Sequence, residues 1–334
     1  MEKLRLGVIG TGRIGKLHVE SLRRHPAVEV AAISDLFIDQ NWADSMDIPL
    51  VTTDYQDIIN DPEIDAVFIC SSTNTHVSII RDAAKAGKHI FCEKPISFNN
   101  RLTQEALEVV VQSGIKFQTG FNRRFDHNFI RVREAVVTGE IGEPHIVKIT
   151  SRDPEIPPAD YIKNSGGMFI DMCIHDFDMA RYLIGSDVVE VYVKGSVMID
   201  PVFAEHGDID TAIITLTFEN GVLGVIDNSR RAAYGYDQRV EVFGSGGSVT
   251  AENDLPNTAV VSTAKGVYSD KPKYFFLDRY QDSYVTEVNA FIDSILNHVP
   301  TLVDGNDGLK AELIAHAAKK SLQEGRAVRI SEVI

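Results

Sequence analysis

Short, uninterrupted apolar runs alternate with amphipathic stretches through the first third of the chain. Leu4–Ile9, Val28–Ser34, Ala66–Cys70, His89–Cys92 and Lys116–Thr119 read as strands, and Ile14–Arg24, Val77–Ala86 and Leu102–Gln112 as helices. Strands that are apolar at nearly every position are buried on both faces. This β-α-β-α rhythm therefore predicts an α/β fold whose first domain is a doubly wound parallel sheet. From about residue 145 the texture changes: His145–Arg152, Val188–Met198, Thr211–Phe218, Val222–Arg230, Gln238–Phe243 and Ala259–Ser262 alternate apolar and polar positions. Alternation buries one sheet face and leaves the other free, which predicts a second, α+β domain with a large open, mainly antiparallel sheet. Asn220-Gly221 and Gly244–Gly247 mark turns between its strands. Helical patterns at Gly167–Leu183, Val285–Leu296 and Leu309–Gln323 frame that sheet. A free sheet face of this size calls for a second subunit, so a homo-oligomer is expected.

Composition narrows the function. With 33 Lys and Arg against 48 Asp and Glu, the chain carries a formal charge of −15 over 334 residues. That balance argues against nucleic acid, whose phosphates need a positive face. The longest apolar runs fall short of the ~18 residues a membrane span needs, so no membrane association is expected. Met1–Arg5 leads straight into a strand-like run without the apolar core of a secretory leader. Three cysteines, Cys70, Cys92 and Cys173, are too few for a disulfide framework. Together these point to a cytoplasmic protein with reduced thiols.

The first strand runs into Gly10-Thr11-Gly12-Arg13-Ile14-Gly15, a G-x-G-x-x-G that opens a helix. The first glycine permits a tight turn, the second lets the backbone approach a pyrophosphate, and the third allows close helix–strand packing; the helix N-terminus adds free N–H donors. Asp35 ends the second strand, at the distance where a carboxylate accepts hydrogen bonds from the adenosine ribose diol and repels a 2′-phosphate. The next residues are Leu36 and Phe37, with no arginine, so NAD is expected rather than NADP. Residues 1–122 are thus expected to bind NAD through Gly10, Gly12, Arg13, Ile14, Gly15 and Asp35. Ser71, Thr73, Asn74 and His76 after the third main strand, with Glu93 and Lys94, are expected near the nicotinamide half.

Cys92-Glu93-Lys94-Pro95 leaves the fourth main strand at the carboxyl edge of the sheet, where α/β folds bind ligands, and the proline restricts the lysine before it. A second cluster is Asp171-Met172-Cys173-Ile174-His175, whose Asp and His, four apart, share one face of a helix. A neutral histidine can take a proton near neutral pH, a carboxylate can orient a hydroxyl, and a lysine can stabilise developing negative charge. Such a set needs no Lewis acid, so no metal site is assigned to Asp171, His175 and Asp178.

The combination of Gly10–Gly15, Glu93-Lys94-Pro95 and Asp171-x-x-x-His175 resembles the Gfo/Idh/MocA oxidoreductase family over essentially the whole chain. Gly120–Asp126, Ser151–Pro154, Asn228–Arg239 and Asn306–Leu309 look most like its bacterial inositol 2-dehydrogenase branch. The resemblance implies that Lys94, Asp171 and His175 are the catalytic group, that the Lys94–Pro95 peptide is cis, and that the oligomer is a tetramer. It implies NAD-dependent oxidation of a cyclic polyol, with residues 123–334 as the substrate-binding and oligomerisation domain. A polyol needs several hydrogen-bonding side chains in one pocket, and Arg123, Asp153 and Tyr236 are the candidates beside Lys94, Asp171 and His175. The leading substrate is myo-inositol. Another inositol, a pyranose or aldose, and a non-catalytic NAD-sensing role are the alternatives.

Overall fold

The computed structural model describes residues 3–334, and what was read from Met1 and Glu2 lies outside them. The chain forms two compact units: residues up to Asn122 together with Asp282–Glu312, and Arg123–Gln281 together with Leu313–Ile334.

In the first unit, β1 (Leu4–Ile9), β2 (Val28–Ser34), β3 (Leu50–Thr52), β4 (Ala66–Ile69), β5 (His89–Glu93) and β6 (Phe117–Gly120) form a parallel sheet in the order β3-β2-β1-β4-β5-β6. Strand order reverses between β1 and β4, so the ligand crevice of such a sheet opens where β1 ends in Gly10 and β4 ends in Cys70-Ser71. Each face is covered. Ile79, Ile80 and Ala83 of helix Thr73–Lys85 pack on one side with Ala106 and Val110 of helix Asn100–Ser113. On the other, Val19 and Leu22 of helix Arg13–Arg23 meet Val288, Phe291, Ile292 and Ile295.

Those last four belong to helix Gln281–Leu296, and their i, i+3, i+4, i+7 spacing makes a single apolar stripe. The stripe packs on the first sheet, with Phe291 edge-on to Phe68 and Phe91, themselves stacked at 4.6 Å. Residues 282–312 therefore return to the first unit, whereas the sequence reading gave everything after residue 122 to the second. Strand β3 and the short helices Gln40–Ser45 and Tyr55–Ile59 also went unread, being too short to show a period.

The second unit holds β7 (Pro144–Arg152), β8 (Val188–Ser196), β9 (Thr211–Phe218), β10 (Leu223–Ser229), β11 (Asp237–Gly244), β12 (Gly247–Ala251), β13 (Val260–Thr263), β14 (Gly266–Ser269) and β15 (Val328–Arg329). Seven of them make one open sheet, β12-β11-β7-β10-β9-β8-β15. Only β7 and β10 pair in parallel; the other neighbours are antiparallel. Its covered face carries Val147, Ile149, Ile214, Leu216, Ile226, Val240 and Val242. On the free face Phe243, Ile146 and Leu223 line up across β11, β7 and β10 and are each about half exposed.

Two elements differ from what the sequence pattern predicts. Ala259–Ser262 was read into the open sheet, but Val260–Thr263 pairs only with β14 in an exposed hairpin, since neither face has an apolar partner to cover it. The helix expected over Gly167–Leu183 is interrupted at Met172, giving Met168–Asp171 and Cys173–Ile184. Among the described residues no helix is long and apolar enough to cross a membrane.

Candidate active site

The first and third glycines of the loop have the properties their spacing predicted. Gly10 has φ +94°, and a Cβ there would stand 2.4 Å from the Ser71 nitrogen, so the turn at the switch point admits no side chain. A Cβ on Gly15 would stand 1.9 Å from the Gly10 carbonyl oxygen, where helix and turn are in contact. At Gly12 a Cβ would meet nothing within 4 Å. That side is open, with room for a ligand to approach the backbone. Arg13 lies exposed beside it, and Ile14 is half-buried at the helix start.

Asp35 sits at the carboxyl end of β2. Its Oδ2 accepts from the Thr11 N–H at 2.6 Å and the Thr11 hydroxyl at 3.2 Å, and its Oδ1 accepts from the Phe37 N–H at 2.9 Å. An ionised carboxylate offers about four acceptor positions, so Oδ1 retains one for a ribose hydroxyl. The residues present fit a dinucleotide: a bare glycine, a helix N-terminus and a carboxylate one strand away.

Ser71 and Thr73 are half-buried and Asn74 exposed, positions from which a side chain can reach a ligand at this edge. His76 is different. It is 1% exposed, with both ring nitrogens against main-chain carbonyls, so it lies beneath the cofactor face rather than lining it as expected. Glu93 ends β5 and Lys94 stands on the turn that follows, both half-buried, and the Lys94–Pro95 peptide is cis, as the resemblance implied. Glu93 Oε1 meets His18 Nε2 at 2.7 Å, and Gly120 leaves the room this carboxylate occupies.

Asp171 and His175 belong to the second unit, Lys94 to the first. Because the helix is interrupted at Met172, Asp171 ends one segment and His175 lies in the next. Asp171 Oδ1 accepts from the Tyr161 hydroxyl at 2.7 Å, and Oδ2 from Arg230 Nη2 at 2.9 Å. Arg230 also donates to Asp153 Oδ2 at 3.2 Å, so one guanidinium joins two of the residues singled out from the sequence. Arg123 and Tyr236, the other two, meet each other: Arg123 Nη2 lies 3.4 Å from the Tyr236 hydroxyl, and Nη1 donates to Asp176 at 2.6 Å. Asn228 donates to the other Asp176 oxygen at 2.7 Å.

Burial sets the protonation of this cluster. It pushes the Tyr161 phenol up, with the Asp171 charge adding to the effect, so Tyr161 stays a donor. Tyr236 is raised by burial too, against the pull of Arg123. The Asp153 carboxyl is raised by burial and by Asp171, with Arg230 opposing. Asp176 is raised by burial, with Arg123 opposing. Burial works against the charge of Arg230, but Asp171 and Asp153 outweigh it and the guanidinium stays charged. Asp178 is committed elsewhere, to Arg124 at 2.6 and 2.9 Å.

Three members escaped sequence reasoning. Arg230 stands inside Asn228–Arg239, a segment quoted only for its resemblance, and Asp176 is next to His175; both were within sight. Tyr161 gave no signal, since it follows a proline-rich loop.

Residues 4–121 match a family described as an oxidoreductase family with an NAD-binding Rossmann fold, and residues 129–250 match the GFO/IDH/MocA C-terminal domain. The chain is 56% identical to an uncharacterised oxidoreductase, YrbE, of Bacillus subtilis, covering 97% of this chain and 96% of that one. It is 49% identical to the myo-inositol 2-dehydrogenase of Thermotoga maritima, covering 99% and 100%. The crystal structure of a probable dehydrogenase from Thermotoga maritima superposes with a TM-score of 0.97, at 49% identity over 99% of this chain and all of that one. The scyllo-inositol dehydrogenase of Lactobacillus casei, crystallised with NAD(H) and scyllo-inositol, superposes with a TM-score of 0.92 at 29% identity, covering 99% and 100%. The first unit is an NAD-binding Rossmann domain.

Proposed function

The chain belongs to the GFO/IDH/MocA oxidoreductase family, and from that premise we propose that it oxidises one ring hydroxyl of myo-inositol to the ketone, giving the inosose. The observation that carries this reading is the second unit's polar cluster. Arg230 ties Asp153 to Asp171, and Arg123 ties Tyr236 to Asp176, so donors and acceptors are held in fixed directions with their charges already paired. A neutral ring bearing hydroxyls is bound by that kind of surface.

NAD, when bound, accepts the hydride. His175 takes the hydroxyl proton as general base. The Lys94 ammonium stabilises alkoxide character as the proton leaves. Asp171, its two oxygens fixed by Tyr161 and Arg230, orients the reacting hydroxyl. Arg123, Asp153 and Tyr236 contribute hydrogen bonds to the remaining hydroxyls. Gly10, Gly12, Arg13, Ile14 and Gly15 hold the diphosphate, Asp35 the adenosine ribose, and Ser71, Thr73, Asn74 and Glu93 the nicotinamide end. The chain works in the cytoplasm, its three cysteines reduced, as a tetramer in which other copies cover the Phe243, Ile146 and Leu223 row.

One second reading has support in the likeness to a scyllo-inositol dehydrogenase: scyllo-inositol as the substrate of the same machinery. A panel of inositols and hexoses with NAD, followed by absorbance of the reduced cofactor, tests both. Preference for myo-inositol is expected, preference for scyllo-inositol would favour the second reading, and turnover of aldoses alone would remove both.

A further inference from the structure

The turn that carries Lys94 is fastened from below. His76 lies in the first turn of helix Thr73–Lys85, in the core. Its Nδ1 is 2.9 Å from the Pro95 carbonyl oxygen and its Nε2 2.9 Å from the Ser71 carbonyl oxygen. Both partners are acceptors, so the ring can serve them only as a donor. Burial lowers the ring's pKa, so it is held neutral: it donates one of the two hydrogen bonds, and its other nitrogen stands in contact with the second carbonyl. Ser71 in turn backs the glycine cradle, pressed against Gly10. One side chain thus joins the carbonyl directly after Lys94 to the loop behind the first glycine. Other anchors act further out on the same turn: His18 on Glu93, and Glu312 Oε1, which accepts from the Ser97 N–H at 3.1 Å.

We propose that His76 is a positioning residue for the reaction: by clamping the Pro95 carbonyl to the Ser71 carbonyl it sets where the Lys94 ammonium stands over the cofactor's reactive end. This rests on the reading of Lys94 as a catalytic group. Without the clamp the turn keeps its outer anchors, so the fold and the cradle persist while Lys94 loses its aim. Misplacement on the scale of an ångström costs about 10²-fold in turnover.

The test is a double-variant cycle: kcat at saturating NAD and myo-inositol for His76→Ala, Lys94→Ala and the pair, with NAD binding to each measured by calorimetry. His76→Ala is expected to lower kcat by about 10²-fold and to change NAD affinity by less than about threefold. In the Lys94→Ala background it should cost less than about twofold further, because residues acting as a unit are not additive. His76→Gln, whose amide can donate to one of the two carbonyls, should fall between, and it replaces His76→Ala in the cycle should that variant not fold. Equal losses in both backgrounds, an intact kcat, or a loss confined to NAD affinity would overturn the role of His76. Near-parental kcat in Lys94→Ala would instead overturn the reading of Lys94, and this inference with it.

Discussion

Arg230 is the point on which the second unit's cluster can be broken most cleanly. Its side chain is 5% exposed and faces two carboxylates, Asp171 at 10% and Asp153 at 24%. Arg230→Met keeps most of the volume and leaves both acids facing each other with no cation between them. Removing one partner of a buried ion pair costs about 3–5 kcal/mol. Asp153 keeps some water, so about 3 kcal/mol is expected at pH 8, the low end of that range. The loss should depend on pH, and its sign follows from proton uptake. Burial and Asp171 already raise the Asp153 carboxyl, and Arg230 is what opposes them. Without Arg230 the native acids bind protons more readily than the unfolded chain does, so stability falls as pH rises. The deficit is then full above the raised native values and shrinks as pH drops toward the unfolded carboxyl value near ~3.9. Each pH unit over which one extra proton stays bound is worth about 1.4 kcal/mol. Urea unfolding followed by circular dichroism at pH 8 and pH 5 reads this directly. Arg230→Lys, which keeps the charge but not the fork, should recover part of the loss. A deficit below about 1 kcal/mol at pH 8, the ordinary size for a surface pair, or one equal at both pH values would refute the reasoning.

The cradle makes an internal contrast: Gly12→Ala should leave thermal unfolding unchanged and weaken NAD binding at least about tenfold, near 1.4 kcal/mol, whereas Gly15→Ala should lower the unfolding temperature outright. Calorimetric titration with NAD and a thermal melt separate the two. Asp35→Ala should weaken NAD binding and narrow the preference over NADP, and an unchanged ratio of kcat/KM for the two cofactors would count against the ribose contact. Lys94→Ala should lower kcat by about 10²-fold or more, the scale of one lost electrostatic stabiliser; steady-state rates check it. A cyclohexane polyol bearing a carboxylate should inhibit at least about tenfold more weakly than its neutral counterpart, since it finds no unpaired guanidinium; equal inhibition constants would contradict the pairing argument.

What could be read in advance was whatever is settled within a few residues. Strands β1 and β2 were placed at their ends because continuous apolar runs bounded by polar residues have one meaning, and Gly10, Gly12, Gly15 and Asp35 carry theirs in spacing alone. Helix Gln281–Leu296 showed its apolar stripe, yet the stripe does not say which sheet it will cover, and the first sheet took it. His76 failed for a related reason. A polar residue opening a helix at the ligand edge looks like a lining residue until the Pro95 carbonyl is seen to occupy its Nδ1. Tyr161, Arg230 and Asp176 were invisible as a group because they are defined by partners up to 77 residues away in the chain. Asp171 and His175 were singled out by an even helical spacing that the structure breaks at Met172.

The cluster's charge arrangement also discriminates among substrate classes. An arginine that receives a substrate carboxylate does so best without an internal acid, since a guanidinium already paired with one offers an incoming anion less net attraction. Here both candidate arginines are engaged: Arg123 with Asp176, and Arg230 with Asp153 and Asp171. Their value is directional instead. On the proposed reading each fixes carboxylate oxygens so that they can accept from ring hydroxyls, and the raised phenol of Tyr236 keeps its proton to donate, that of Tyr161 being already given to Asp171. A neutral polyol exchanges with water at such a surface without exposing an uncompensated charge, while an anion would bring one against a second-unit cluster that already holds three carboxylates and two guanidinium groups.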